Sequence, residues 1–123
     1  MIQSINHIQL VAEKDLVIQL KDFYCNVVGL SEGFRPNFAR FGFWLYIGNN
    51  AAVHLITPKE GDDRSPQKSS FDHVAFRTSD YESVLKKLKT LNVFFEEKKI
   101  PGMTAHQIFL RDPAGNRVEL NFD

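Results

Sequence analysis

The sequence predicts an α+β fold built from two β-α-β-β-β repeats, and three observations lead to this prediction. Apolar residues recur at helical spacing in two separate segments. The segments around them alternate between apolar and polar residues, which is typical of half-buried strands. The two halves of the 123-residue chain also correspond to each other at a nearly constant offset. Together these observations predict two copies of one supersecondary unit.

Each half contains one predicted amphipathic helix. In the first helix the apolar positions are Leu16, Leu20, Phe23, Tyr24 and Val27, and Gly29 suits the position after its end. In the second helix they are Tyr81, Val84, Leu85, Leu88 and Leu91. Ser79 and Glu82 form an S-x-x-E capping box at the start of this helix, and Asn92 suits a left-handed stop.

Four strands are predicted around each helix. The predicted strands are Ile5–Val11, Ser31–Arg35, Phe41–Ile47, Ala52–Thr57, Phe71–Thr78, Val93–Lys98, His106–Arg111 and Val118–Phe122. The sequence Asp112-Pro113-Ala114-Gly115-Asn116 is a turn signal that should join the last two strands as a hairpin.

We expect a single domain, residues 1–123. It consists of repeat one at 2–57, a linker at 58–70 and repeat two at 71–122. The linker is polar, charged and interrupted by Gly and Pro. His7 corresponds to His73, 66 positions later, and His54 to Glu119, 65 positions later. Neither repeat has enough strands to close its own core, so we expect the repeats to pack on each other or on those of another chain.

The composition excludes several classes of protein. Fifteen Lys and Arg balance fifteen Asp and Glu, which argues against non-specific nucleic-acid binding and against an anionic-membrane anchor. A single cysteine, Cys25, cannot form an internal disulfide framework, and we expect it to pack inertly on its helix. The cysteine usage and the lack of an apolar run or signal-peptide pattern predict a cytoplasmic protein.

Strand alternation places four potential metal ligands on one kind of sheet face. His7, His54, His73 and Glu119 each lie opposite the apolar series that must face the helices. An approximate twofold axis between the repeats would bring the four side chains to one point, where they suit Zn, Fe(II), Ni, Co or Mn. Any one of them alone is more commonly a hydrogen-bonded or solvated side chain. Four at related offsets favour a divalent metal site, although His54 could instead line the pocket or bind a water.

Further residues are candidates for binding or catalysis. Glu119 and His106 are the candidate catalytic bases, with a simple strand-end role as the alternative for His106. The candidate substrate-binding residues are Arg77, Arg117, Gln9, Asn121 and Trp44. The two arginines could bind an anionic group or simply face water, Gln9 and Asn121 could orient ligands by hydrogen bonds, and Trp44 could wall the pocket or pack in the core.

Several motifs resemble the vicinal oxygen chelate superfamily, the group of glyoxalase I, bleomycin-resistance proteins and extradiol dioxygenases. They are Asn6-His7-Ile8, Phe23-Tyr24 leading to Gly29-Leu30, Asp72-His73-Val74, and the run from Asp112 to Leu120 (DPAGNRVEL). The resemblance implies a glyoxalase-like fold with curled mixed sheets around a central metal cavity, and a homodimer. It also implies ligand positions at His7, His73 and Glu119, with His54 where glyoxalase I commonly has Glu and methylmalonyl-CoA epimerase Gln.

The expected function is that of a glyoxalase-like, divalent-metal-dependent isomerase or lyase. Its substrate would be a small oxygenated molecule, and the metal would stabilise an oxyanion or enolate. One alternative is an extradiol-type dioxygenase or a fosfomycin-type thiol transferase. The other is a non-catalytic, drug-binding protein like the bleomycin-resistance proteins.

Overall fold

The computed structural model describes residues 3–62, 73–99 and 106–122 of a chain that divides into two compact units. Unit 1 is Met1–Ser65 and unit 2 is Pro66–Asp123. The described residues of each unit form one four-stranded mixed sheet and one α-helix in the order β-α-β-β-β. The predicted α+β fold of two such repeats is therefore confirmed. The predicted linker lies partly outside the described residues.

Unit 1 contains the first sheet and the first helix. Strands β1 (Ile8–Val11), β2 (Ser31–Gly33), β3 (Gly42–Ile47) and β4 (Asn50–Ile56) form a sheet in the order β1-β4-β3-β2. Helix α1 (Lys14–Phe23) ends four residues before the predicted end, and Tyr24–Val28 continues as a π-helical turn. Gly29, at φ 106°, ends this turn, and the amides of Gly29 and Leu30 both donate to the Tyr24 carbonyl.

Unit 2 repeats the same topology. Strands β5 (His73–Arg77), β6 (Glu96–Lys99), β7 (His106–Arg111) and β8 (Arg117–Phe122) form a sheet in the order β5-β8-β7-β6, and α2 (Tyr81–Thr90) follows β5. The start of the predicted fifth strand at Phe71 lies outside the described residues. Strands β7 and β8 form the predicted hairpin, with Gly115 at φ 85° in its turn.

The strand pairing supports the correspondence between the repeats. The parallel pairs are β1–β4 in unit 1 and β5–β8 in unit 2, which join the first and fourth strands of each unit in chain order. The remaining pairs are antiparallel. Trp44 pairs with His54 in unit 1, and Phe109 pairs with Glu119 in unit 2. The offset that relates the two sequences therefore also relates the two sheet registers.

The start of α2 differs from the predicted capping box. Asp80 is the N-cap, not Ser79, and it adopts a left-handed backbone at φ 61°. Its carboxylate accepts from the Ser83 amide at 3.3 Å and from the Ser83 hydroxyl at 2.8 Å. Asp tolerates the left-handed region better than most residues and is a strong capping residue, so it replaces its neighbour in this role. The predicted left-handed stop at Asn92 is confirmed by its φ of 54°.

Replacing Asp80 with alanine should lower the free energy of unfolding by about 1–2 kcal/mol, because it removes both the cap and the polar side chain that makes the left-handed backbone tolerable. Urea unfolding followed by circular dichroism measures this loss. Asp80→Asn keeps both a capping oxygen and left-handed tolerance, and should retain most of the stability. An alanine variant as stable as the asparagine variant would contradict the assigned cap.

Each unit has a core on the helix side of its sheet. In unit 1 the core includes the fully buried Val17, Leu20, Leu45, Val53 and Leu55. In unit 2 it includes the fully buried Leu88, Ile108 and Val118. No helix within the described ranges is long and apolar enough to cross a membrane.

Candidate functional site

The face of each sheet opposite its helix carries the candidate ligands, and we call it the site face. In unit 1, Val53 and Leu55 of β4 are buried toward α1, so His54 between them points to the site face. In unit 2, Val118 and Leu120 of β8 are buried on the helix side, so Glu119 points to the site face. Strand alternation therefore placed both residues on the predicted face.

His54 lies in a stack of three rings. Its imidazole is sandwiched between Trp44, with ring centroids 4.2 Å apart, and His7, with centroids 3.8 Å apart. Its Nε2 is 3.0 Å from the carbonyl oxygen of Ala51. A carbonyl only accepts, so Nε2 donates and Nδ1 carries the lone pair of the neutral ring. Burial, and then the positive potential of His7, lower the pKa of His54, which favours this neutral form.

His7 is exposed and precedes β1 directly. Its Nδ1 is 2.9 Å from the side-chain oxygen of Asn6, an acceptor, so Nδ1 donates and the lone pair of the neutral ring lies on Nε2. A histidine that donates one ring nitrogen to a neighbouring oxygen and offers the other is a common arrangement for metal ligands. His7 is therefore suited to bind a cation through Nε2.

The stack limits how His7 and His54 can act together. Their ring planes differ by only 9° and lie face to face. A metal ion lies in the plane of an imidazole ligand, about 2.0–2.1 Å from the nitrogen. A single ion cannot lie in two stacked parallel planes, so only one of these two rings can bind it in the observed orientation.

Unit 2 brings together His73 and Glu119. The His73 Nε2 lies 3.7 Å from Oε1 of Glu119, and the Glu119 residue is only 7% exposed. Gln107 donates to Oε1 at 3.3 Å, and Asn121 donates to Oε2 at 3.1 Å. Both carboxylate oxygens are thus held by amide donors, which offset part of the cost of burying the charge.

The donor chemistry of the His73–Glu119 pair fits a divalent cation. Two ligand atoms about 2.1 Å from one ion are separated by about 3–3.5 Å in tetrahedral or octahedral geometry, close to the His73–Glu119 distance. Imidazole nitrogen and carboxylate oxygen are ligands that Zn, Ni, Fe, Co and Mn accept. Among the described residues, no group of three His, Cys, Asp or Glu side chains forms a metal cluster.

His106 lies on the helix side of its sheet rather than with Glu119. It shares the orientation of the buried Ile108 and Leu110, and its ring packs edge-on against Tyr81 of α2 at 4.4 Å. Tyr81 donates to Glu97, and this hydrogen bond raises the pKa of Tyr81 to about 12. The alternation of β7 therefore separates His106 from the His73–Glu119 pair, and we do not retain it as the base.

The structure places each of the five predicted substrate-binding residues on a site face. Arg77, Arg117 and Asn121 lie on that of unit 2, where the guanidinium of Arg117 sits 4.1 Å from the centre of the Phe109 ring. Gln9 and Trp44 line a cavity in unit 1. Cys25 is half-buried, and burial raises the pKa of its thiol, as expected of an inert packing residue.

Sequence reasoning missed three residues. Gln107 donates to Glu119. It lies two residues before Phe109 in β7, so strand alternation puts both on the site face, and this spacing was the only available signal. Arg35 and Arg40 line the cavity of unit 1 together with His7, His54 and Trp44. They belong to the irregular segment between β2 and β3, where the interleaving of arginine with Phe34, Phe38 and Phe41 was the available signal.

Solved structures of known proteins share this fold. A Bacillus anthracis protein described as a member of the glyoxalase family is 22% identical, with a TM-score of 0.74 over 100% of this chain and 97% of that one. The fosfomycin resistance protein FosX from Listeria monocytogenes is 17% identical, with a TM-score of 0.73 over 100% and 95%. Lactoylglutathione lyase from Agrobacterium tumefaciens is 18% identical, with a TM-score of 0.70 over 97% and 92%. None of the curated proteins matches the chain in sequence.

The family comparison agrees with the fold. Residues 4–120 match the model of the glyoxalase/bleomycin resistance protein/dioxygenase superfamily, which covers both repeats and all four candidate ligands. The chain therefore belongs to the glyoxalase/bleomycin resistance protein/dioxygenase superfamily.

Proposed function

We propose that the protein is a divalent-metal-dependent enzyme of the glyoxalase type, an isomerase or lyase for a small oxygenated molecule. The observation that carries the proposal is the buried Glu119 carboxylate beside His73, with both oxygens held by amide donors. A buried charge is costly unless it is paired or binds a cation. Superfamily membership and the shared fold of lactoylglutathione lyase support the same reaction class.

In this proposal His7, His73 and Glu119 hold the metal, and His54 positions His7. The stacking of His54 on His7 supports that division, because the buried His54 would have to leave Trp44 before both rings could face one ion. When bound, the cation would supply a Lewis acid that polarises a substrate oxygen. Zn, Ni, Fe, Co and Mn all suit two imidazoles and one carboxylate.

Glu119 is the proposed base. A carboxylate oxygen on the site face can accept a proton from a carbon next to the substrate carbonyl, and the remaining negative charge would develop on the substrate oxygen. Gln107 and Asn121 fix the direction of the two carboxylate oxygens. Glu119→Gln should therefore abolish turnover, and full activity in this variant would exclude Glu119 as the base.

Metal binding tests the ligand assignment directly. Chelator-treated protein is titrated with Zn, Ni, Co, Mn or Fe(II) by calorimetry, and the bound metal is counted by elemental analysis. We expect one ion per chain, and a loss of affinity of at least about 100-fold in His73→Ala, since a ligand should matter more than its hydrogen-bonding neighbours. His106→Ala is the matched control and should bind metal as the unmodified protein does.

Two outcomes would contradict the proposal. Substoichiometric metal that is unaffected by His73→Ala would favour a non-catalytic binding protein. Equal losses in His73→Ala and His106→Ala would show that the loss reflects the fold rather than coordination. Metal-loaded protein should also exchange the proton on the hydroxyl-bearing carbon of a 2-hydroxyketone with deuterium oxide, as followed by NMR, and the Glu119→Gln variant should not.

The proposal includes a cytoplasmic homodimer. The single cysteine suits a reducing compartment, and the family resemblance implies the dimer. Light scattering coupled to size-exclusion chromatography measures the assembly, and a mass of one chain at working concentrations would contradict it.

A further inference from the structure

Unit 1 contains a cavity of about 580 Å³ on its site face. This volume lies within the range of small-molecule binding pockets, about 300–1,000 Å³. Phe38 and Trp44 form aromatic walls with ring centroids 6.1 Å apart, and Ile56 adds further apolar lining. The cavity therefore has room for a small organic molecule and apolar surface to receive it.

Arg35 is held in the cavity wall with one hydrogen-bond donor unused. Its Nη2 donates to the backbone carbonyl of Arg40 at 3.0 Å, and its guanidinium lies 4.9 Å from the centre of the Phe38 ring. Its Nε is buried without a hydrogen-bond partner among the described residues. A buried donor without an acceptor is unfavourable, and native proteins seldom leave one. Nε itself is inaccessible from the cavity, so an acceptor there would meet the part of the Arg35 guanidinium that lines it.

The charges of the lining point to the kind of acceptor. Arg35 and Arg40 line the cavity, and no Asp or Glu does within the part of the chain that the structure describes. Arg40 donates to the backbone carbonyl of Thr57 at 3.1 Å, so each arginine is held by a neutral carbonyl, and neither forms an ion pair with a described residue. Two guanidinium groups without a carboxylate create a positive potential that favours an oxyanion.

We propose that this cavity binds a small organic oxyanion, a carboxylate or a phosphonate, through Arg35. Arg40 contributes a second positive charge, and the apolar body of the molecule lies against Phe38 and Trp44. If the bound anion is the substrate, this inference rests on the proposed function and narrows its substrate to anionic oxygenated compounds. The binding itself needs only the residues of unit 1.

The only tryptophan of the chain makes the test direct. Trp44 lines the cavity, so a molecule that enters it should change the intrinsic fluorescence. Chelator-treated protein is titrated with benzoate, with phenylphosphonate and with benzamide, a neutral molecule of the same shape as benzoate. We expect saturable binding of at least one anion, at least about tenfold tighter than benzamide, as a charged hydrogen bond contributes.

Arg35→Gln should weaken binding of that anion at least about tenfold and change binding of benzamide less than about twofold. The matched control is Arg111→Gln, which removes the same charge from a side chain that donates to Gly115 in the β7–β8 turn. It should bind the anions as the unmodified protein does. Preference for benzoate or for phenylphosphonate identifies the anionic group, and either preference supports the proposal.

Other results would overturn the inference. Equal affinity for benzoate, phenylphosphonate and benzamide in the unmodified protein would do so, even if Arg35→Gln failed to fold. Unchanged anion affinity in a folded Arg35→Gln variant would do so as well. These titrations contain no metal. Anion binding by a protein that binds no metal would therefore contradict the proposed function and leave this inference standing. Metal binding without a preference for the anions over benzamide would contradict this inference and leave the proposed function standing.

Discussion

Replacing Gly42 with alanine should lower the free energy of unfolding by about 3 kcal/mol or more, a loss large enough to unfold a marginally stable unit. Gly42 begins β3 and pairs with Ile56 of β4. A β-carbon at this position would lie 2.1 Å from the Leu55 carbonyl oxygen and 3.1 Å from Nη2 of Arg35. The first neighbour is backbone inside the sheet, so the strands would have to separate.

The measurement is urea unfolding of the two variants Gly42→Ala and Gly48→Ala. Gly48 is the matched control, because its φ of 58° disfavours alanine while an added β-carbon meets nothing within 4 Å. Gly48→Ala should lower the free energy of unfolding by only about 1–2 kcal/mol, because it adds backbone strain without a clash. Equal losses in the two variants would mean that β3 and β4 do not approach as closely as described.

Replacing Asp112 with alanine should cost about 3 kcal/mol. Asp112 is only 4% exposed and organises the turn between β7 and β8. Its Oδ1 accepts from the amides of Ala114 and Asn116 at 2.9 and 2.8 Å, and its Oδ2 accepts from the Asn116 side chain at 2.8 Å. Hydrogen bonds to a charged group contribute about 1.5–3 kcal/mol each and are not additive, so the loss exceeds that of one bond.

Thermal and urea unfolding measure this loss, with Asp22→Ala as the control. Asp22 contacts Lys21 at the surface and its side chain is 54% exposed, so its removal should cost less than about 1 kcal/mol. Asp112→Asn keeps an oxygen for the two backbone amides and should lose less than alanine does. An alanine variant as stable as Asp22→Ala would show that the turn forms without this carboxylate.

The fold was predictable because two periodicities and one offset agree along the chain. Alternation in β4 and β8 placed His54 and Glu119 opposite the buried valines and leucines, and the structure has them there. The boundaries were less predictable. Ser79 and Asp80 are both good capping residues, and the sequence does not indicate which one adopts φ 61°.

The site was only partly predictable, since side-chain orientation and loop folding leave no periodic signal. The stacking of His7 on His54 depends on ring rotation, which residue spacing does not determine. Arg35 and Arg40 come from a segment without regular structure. The face of His106, by contrast, was predictable. His106 lies two and four residues before Ile108 and Leu110, so strand alternation already indicated the helix side.

The equivalence of Trp44–His54 with Phe109–Glu119 has an evolutionary consequence. When a gene encodes only one repeat, all copies of that repeat in an assembly have identical side chains and therefore the same charge. Once the gene is duplicated within one chain, packing constrains the positions of Val53 and Val118 alike, whereas the neighbouring site-face positions are free to diverge. The two copies accordingly differ at the equivalent site-face position, where unit 1 carries the imidazole of His54 and unit 2 the carboxylate of Glu119.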